Sequence, residues 1–450
     1  MESTEVIIIG GGFSGIAAGK LLHEKQISFK ILEARDRVGG RVYTKRFEND
    51  FYLDFGGQWI GPSQTRMYEL VQEFGLEPFT TYNQGKNILD INQKVKTYKG
   101  LIPNTDIFSL LNMEFVMRKL QGLANKIDVE KPHLHPKAKE LDELTLEDFL
   151  VKNCFTKNAR KILSAGLETV FACELSEISL LHAIFYIKSG NGLESLLSID
   201  NGAQQDRIVG GMQLLAEKML EAFKAQLLLN QPVKKIEKVE EGYVVSTPDK
   251  QYKAKYIISA IPPHLLSEID LPSNFSETKQ ELIKSLPMGL VAKCFAVYNK
   301  PFWRENGYSG QSVSDKNTPF QTVFDASPKD GSKGVLLAFC IANRHKEFFA
   351  LSENERKRKC LEVFSTYFGE TALKPEFYID YSMKDDVWSG GCYAAFHPPK
   401  ILTTYQGSLS KPEGDFHFAG TETSTIWCGY IEGAVRAGER AAKEIFQKIN

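Results

Sequence analysis

Ten residues in, the chain commits itself to one kind of architecture. A β-branched run at residues 6–9 leads into Gly10-Gly11-Gly12-Phe13-Ser14-Gly15, then an apolar helical stretch at 16–22 and a second strand at 29–33. Strand, glycine turn, helix and strand make a βαβ unit, and this one is built for an anion. Gly10 permits the tight turn and Gly12 lets the backbone approach a pyrophosphate. Gly15 lets the helix pack close, while the amides of Phe13 and Ser14 and the helix dipole face the phosphates. Glu33 closes the second strand 18 residues after Gly15, where a carboxylate can accept hydrogen bonds from ribose hydroxyls. An adenine dinucleotide is expected, and this motif alone does not separate NAD from FAD.

Composition narrows the remaining classes. With 450 residues, 42% hydrophobic and 25% charged, the chain can form two or three domains, and a disordered or fibrous protein is excluded. Fifty-five Lys and Arg balance 56 Asp and Glu, so no field of one sign is available for nucleic acid. Apolar runs such as 335–342 fall short of the roughly 18 to 20 residues of a spanning helix, so no transmembrane anchor is expected. The N-terminus lacks the basic region and cleavage site of a signal peptide. Seven cysteines, an odd number without a Cys-x-x-Cys pair, argue against a disulfide framework or zinc ribbon and for a soluble, cytoplasmic protein. His133 and His135 lack further nearby ligands, so no metal site is expected.

Helical periodicity runs from about residue 105 to 165, with Thr145 and Asp148 placed as a helix cap. Strand signals return at 242–246, 256–260, 291–298 and 334–342. The basic cluster at 355–359 has acidic neighbours and reads as a solvated helix face. No repeat or long linker is present, so domains must interleave.

Beyond the glycine turn, Glu33-Ala34-Arg35-Asp36-Arg37-Val38-Gly39-Gly40-Arg41 resembles the second signature of the FAD-containing amine oxidase superfamily. Gly56-Gly57-Gln58-Trp59-Ile60-Gly61-Pro62, Ile208-Val209-Gly210-Gly211, Ser389-Gly390-Gly391-Cys392-Tyr393, Gly420-Thr421-Glu422-Thr423 and Trp427-Cys428-Gly429-Tyr430-Ile431 resemble segments of the monoamine oxidases, in the same order. The resemblance covers residues 5–445. It implies a two-domain α/β fold: a Rossmann-like FAD domain at 1-78, 206-284 and 385-450, and an interleaved α+β substrate domain at 79-205 and 285-384.

It also implies site residues. Gly39, Gly40 and Arg41 would run under the flavin pyrophosphate, the backbone of Val233 would meet the adenine, and Gly56, Gly57, Gln58, Trp59, Gly420, Thr421, Tyr430 and Ile431 would line the cofactor. Cys392 would attach FAD through an 8α-S-cysteinyl thioether. Tyr393 and Tyr430 would form an aromatic cage that aligns the amine, and Lys293 would hydrogen-bond a water against flavin N5. Leu197 and Gln204 match a gate and a cavity residue. One departure is Met383, where monoamine oxidases carry tryptophan.

The residues support part of this on their own. An ammonium in the apolar strand around Lys293 needs a partner. Gly429, Gly433 and Ala437 give a small-residue stripe that a flavin or another backbone can approach. The implied reaction is oxidation of a primary or secondary amine to an imine, then an aldehyde, with O2 reduced to H2O2. Aromatics and one lysine, without a His or carboxylate pair, suit chemistry driven by the neutral amine's lone pair. Alternatives are a polyamine oxidase, signalled by an acid in the cavity, or an L-amino-acid oxidase, signalled by an arginine. A flavin desaturase and a non-catalytic flavin-stabilised binding protein are the others. A homodimer is left open.

Overall fold

The computed structural model describes residues 2–103 and 105–449. Two seven-stranded sheets organise it. In the first, Glu2–Ile9 lies between Phe29–Leu32 and Gln251–Ser259, parallel to both, as the glycine-linked βαβ unit requires. Leu227–Leu228 and Phe416–Phe418 extend it in parallel, and Gly242–Ser246 and Lys235–Val239 form an antiparallel edge. Residues 6–9 are buried on both faces, as parallel strands are. Val6 and Ile8 pack with Ile16 and Val435, whereas Ile7 and Ile9 pack with Ile257, Leu282 and Phe416. The helix Phe13–Glu24 begins inside the glycine motif, three residues earlier than the apolar pattern suggests.

The second sheet runs in the order Phe377–Ser382, Val291–Tyr298, Gly334–Ile341, Thr322–Asp325, Tyr308–Ser314, Lys86–Ile91, Lys94–Tyr98. Val291–Tyr298 is buried throughout, and its period of two decides which residues meet the site. Ala292, Cys294 and Ala296 share a core with Phe364 of the helix Glu353–Phe368. Val291, Phe295 and Val297 face the opposite way, against Phe55, Met383 and Cys392, and Lys293 lies on that side. The basic cluster at 355–359 sits on the helix Glu353–Phe368, where Arg356 pairs with Asp380 and Arg358 with Glu362.

Six α-helices between Ile107 and Leu197 form the third element. The Thr145–Asp148 capping box forms as expected. The helical region extends past residue 165, through Leu180–Ser189 to Leu193–Leu197. Leu180–Ser189 is buried on nearly every side, so its residues show no amphipathic period to read. Among the described residues, no helix is long and apolar enough to cross a membrane.

Candidate active site

A cavity of about 580 Å³ is lined by both sheets and the helical region. At one end, Gly12 opens the helix Phe13–Glu24 with no side-chain cap and no acidic residue in the first turn. Its first amides are thus free for an anion. Gly10 has φ +103°, the left-handed turn expected of it. A β-carbon on Gly15 would collide with the Gly10 carbonyl oxygen, so glycine there sets how closely the helix packs. Glu33 is fixed at the rim, accepting from Gly11 N at 2.6 Å and Arg35 N at 2.9 Å.

Midway, half-buried Arg41 and buried Glu422 form a bidentate pair at 2.6 and 3.1 Å. Glu422 is held below the usual carboxylate range by Arg41, against the upward push of burial. Arg41 also donates to the Tyr393 carbonyl oxygen at 2.8 Å, tying the pair to the Cys392–Tyr393 turn. Cys392 lines the cavity, and burial pushes its thiol up to about 11, with Arg41 and Lys293 pulling the other way.

Lys293 is buried, and its Nζ donates to Asp54 O at 2.9 Å, Gly56 O at 2.7 Å and Gln58 Oε1 at 2.5 Å. Those bonds use all three ammonium donors. The sequence requires a partner for this lysine; the partners are loop oxygens, with no carboxylate in hydrogen-bond contact. Burial lowers its pKa to about 7. The amide Nε2 of Gln58, buried and without a partner, is the free donor beside it.

Tyr393 and Tyr430 line the cavity. Burial raises both phenols, so they stay neutral. Tyr430 packs edge-on against Trp427 at 4.7 Å and near Tyr186 at 6.0 Å. Beyond them, Trp59 meets Phe324 at 5.1 Å and Phe339 at 5.8 Å. Leu197 and Gln204 line the same wall; Gln204 donates to Leu196 O at 3.1 Å and leaves its buried Oε1 unpartnered.

The whole arrangement has close counterparts. The family model for flavin containing amine oxidoreductase matches residues 13–446. The chain belongs to that family. Amine oxidase [flavin-containing] A of Canis lupus familiaris is 34% identical over 99% of this chain and 85% of its own. Amine oxidase [flavin-containing] of Oncorhynchus mykiss is 36% identical over 99% and 86%. Among solved structures, putrescine oxidase bound to putrescine superposes with TM-score 0.95 at 30% identity, covering 99% of both chains. Cyclohexylamine oxidase from Brevibacterium oxydans gives TM-score 0.95 at 28% identity, again over 99% of both. The enzyme carries out FAD-dependent amine oxidation, and its fold is that of these oxidases.

The residues present fit FAD. The uncapped helix start suits a pyrophosphate, and the unpartnered Gln58 Nε2 offers a buried donor. Most residues expected from sequence line one cavity, including Gly39, Gly40, Gly56, Gly57, Gly420, Thr421 and Ile431. Gly15, Ala34 and Val233 are not on its wall. Gly15 acts through helix packing, and Val233 is buried with Ile7, Ile9 and Leu32 behind the sheet edge.

The small-residue stripe also differs from expectation. Gly429 precedes the helix Ile431–Ile449 and has φ +85°. A β-carbon on Gly433 would strike the Trp427 backbone, and one on Gly438 the Ser14 backbone. Of the stripe, Gly433 serves backbone packing, while Gly429 faces the Tyr186 phenol and lines the cavity with Tyr430, Ile431 and Ala434.

Sequence reasoning missed Tyr186, Phe324 and Phe339. Tyr186 was legible as the one phenol in an apolar helix, since a buried hydroxyl there needs a reason. Phe324 and Phe339 carried no local signal, because strand order alone brings them to Trp59.

Proposed function

We propose that the enzyme oxidises primary or secondary monoamines, with O2 as oxidant, on FAD joined to Cys392 through the 8α carbon. The observation that carries the substrate reading is the lining beyond the tyrosines. Its apolar members include Trp59, Phe324, Phe339, Leu197 and Ile199, and its polar members, among them Gln204, Thr322, Thr169, Ser312 and Gln311, are uncharged. The lining arginines among the described residues are Arg35 and Arg41, each paired to a carboxylate, so neither is free for an amino acid's carboxylate. The acids that line this end, Glu194 and Asp200, are exposed at the mouth, and Asp200 accepts from Asn83 at 2.7 Å. A second ammonium deep in the cavity would find no carboxylate, which disfavours a polyamine.

The chain's own residues do the following. Tyr393 and Tyr430 present neutral aromatic faces in a buried site, which favours the amine's neutral, reactive form and aligns its nitrogen. Lys293, with a value of about 7, is close to half protonated at neutral pH and exchanges a proton within the site. The carbonyl oxygens of Asp54 and Gly56 fix its position, and Gln58 Nε2 is the donor left to hold a small polar molecule. Bound FAD supplies the two-electron acceptor. The amine loses one C–H hydrogen and one N–H hydrogen with two electrons, these end on O2 as H2O2, and water then splits the imine to aldehyde and amine. Forming the Cys392 Sγ–8α bond removes the thiol proton and a methyl hydrogen, and its two electrons also leave to O2.

Two further assignments rest on the same ground. Each seven-stranded sheet draws its strands from one set of segments, which supports a domain division into 1-78, 206-284 and 385-450 against 79-205 and 285-384, with the two-stranded pair Pro78–Thr80 and Asp206–Ile208 at the boundary. All seven cysteines are free, which supports a reducing, cytoplasmic setting.

Acid precipitation tests the linkage. Yellow colour stays with the pelleted wild type and passes to the supernatant in Cys392→Ala; colour lost from both refutes it. Peroxide-coupled turnover of arylalkylamines, alkylamines, putrescine and L-phenylalanine tests the substrate reading. It predicts kcat/KM at least tenfold higher for the monoamines, and a preference for putrescine or the amino acid defeats it.

A further inference from the structure

Gln58 lines the cavity with only 2% of its surface exposed, and its amide has one free end. Oε1 accepts from Lys293 Nζ at 2.5 Å, whereas Nε2 has no partner among the described residues. Chemistry dictates this orientation: an ammonium only donates, so the amide atom that meets Lys293 is the oxygen, and the two N–H donors point the other way. Leaving a buried amide donor unmet is costly, and the large majority of buried polar side-chain atoms in folded proteins are matched. The partner of Nε2 therefore comes from the cavity that Gln58 lines.

Lys293 has nothing left to offer a molecule there. Its three donors go to Asp54 O, Gly56 O and Gln58 Oε1, and its Nζ lies 5.7 Å from the Trp59 ring centre and 5.5 Å from that of Phe339. The loop that supplies those oxygens is pinned. Phe55 N and Gly56 N donate to Tyr43 O at 2.8 and 3.1 Å, and Gly57 N donates to Arg41 O at 3.1 Å. A β-carbon on Gly56 would collide with the Arg41 carbonyl oxygen, so the loop sits as close to its neighbour as backbone allows. Gln58 is thus fixed by its own loop at one end and by the lysine at the other. In a buried wall of low dielectric, the ammonium draws electron density toward Oε1 and makes Nε2 a stronger donor. The charge of Lys293 reaches the cavity through this amide.

We propose that Gln58 Nε2 binds a water molecule in the cavity, and that Lys293 is a positioning residue that orients and polarises this amide without touching the water. The water contact that the family resemblance gives to Lys293 passes to Gln58 in this chain. Neither residue makes or breaks a bond in this role, and only the kinetic test rests on O2 being the oxidant. The first test is a crystal structure of the FAD-loaded enzyme. An ordered water is expected within about 3.2 Å of Gln58 Nε2 and farther than that from Lys293 Nζ. A water on Lys293 Nζ, or an Nε2 with no water on it, overturns the proposal. The second test follows reoxidation of the reduced flavin by O2. Gln58→Glu keeps an acceptor for Lys293 but removes the N–H donors, and Gln58→Leu removes both; each slows reoxidation roughly tenfold. Lys293→Met slows it similarly, and the Gln58→Leu/Lys293→Met double variant is no slower than the slower single one, because both changes act on one contact. FAD content, read from absorbance, shows that the variants fold. Effects that multiply in the double variant, or wild-type reoxidation in Gln58→Glu, give the lysine a contact of its own and overturn the proposal. A wild type whose reduced flavin does not react with O2 refutes the oxidant reading instead, and the position of the water then decides the role of Gln58.

Discussion

Replacing Lys293 with methionine makes stability less dependent on pH, and the size of the effect follows from the burial of the ammonium. The folded value of about 7 lies below the ordinary 10.5, so the unfolded chain binds more protons between the two and stability rises with pH there. The charge penalises the native state fully below pH 7 and fades as pH approaches 10.5. Carrying it costs about 4 kcal/mol at pH 7 and about 1.5 kcal/mol at pH 9.5. The methionine variant escapes that cost but strands the oxygens of Asp54, Gly56 and Gln58, a loss that is the same at both pH values. Asp54, Arg207 and Cys392 are the titratable neighbours, so the comparison is repeated in an Asp54→Asn background. Urea unfolding at pH 7 and pH 9.5, with FAD present, is the assay. Wild type gains about 3 kcal/mol relative to the variant between those points. A difference that stays constant within about 0.5 kcal/mol refutes the depressed lysine.

Other sites give sharp outcomes. Glu422→Gln leaves half-buried Arg41 with the Tyr393 carbonyl but no carboxylate and costs about 2–3 kcal/mol by urea unfolding; a loss under 1 kcal/mol contradicts a structural role for the pair. Gly15→Ala drives a methyl into the Gly10 carbonyl, so purified protein carries less than a tenth of the wild-type FAD, read from its absorbance, and normal loading contradicts the cradle. Tyr430→Phe keeps kcat/KM within about threefold because the aromatic face remains, whereas Tyr430→Ser loses about tenfold or more; the reverse order points to the hydroxyl.

How much of this could be read without coordinates depends on how far apart the participants lie. The glycine cradle was legible because strand, turn and helix are adjacent, so Gly10 and Gly15 declare their backbone needs locally. Lys293 stood out as a charge in an apolar strand, and a period of two separates it from Cys294 on the other face. Its partners were hidden, since the Asp54–Gln58 loop lies more than 230 residues away and offers mostly carbonyl oxygens, which no side-chain pattern encodes. Arg41 and Glu422, 381 residues apart, each belong to a recognised motif, yet nothing in either motif says that they meet. Gly429 and Gly433 signalled close approach without saying to what; the answers are the Tyr186 phenol and the Trp427 backbone. Leu180–Ser189 gave no amphipathic period to read because burial on nearly every side erases it, so the lone phenol of Tyr186 was its single signal.

The central claim is that a monoamine delivers its electrons to FAD in the cavity walled by Tyr393, Tyr430 and Lys293. Anaerobic mixing with an arylalkylamine or alkylamine, followed by absorbance and then admission of air, tests it most directly. The account predicts bleaching of the yellow flavin band by monoamines and its return in air with stoichiometric peroxide. A flavin that stays yellow with every monoamine, or bleaches only with polyamines or amino acids, contradicts it.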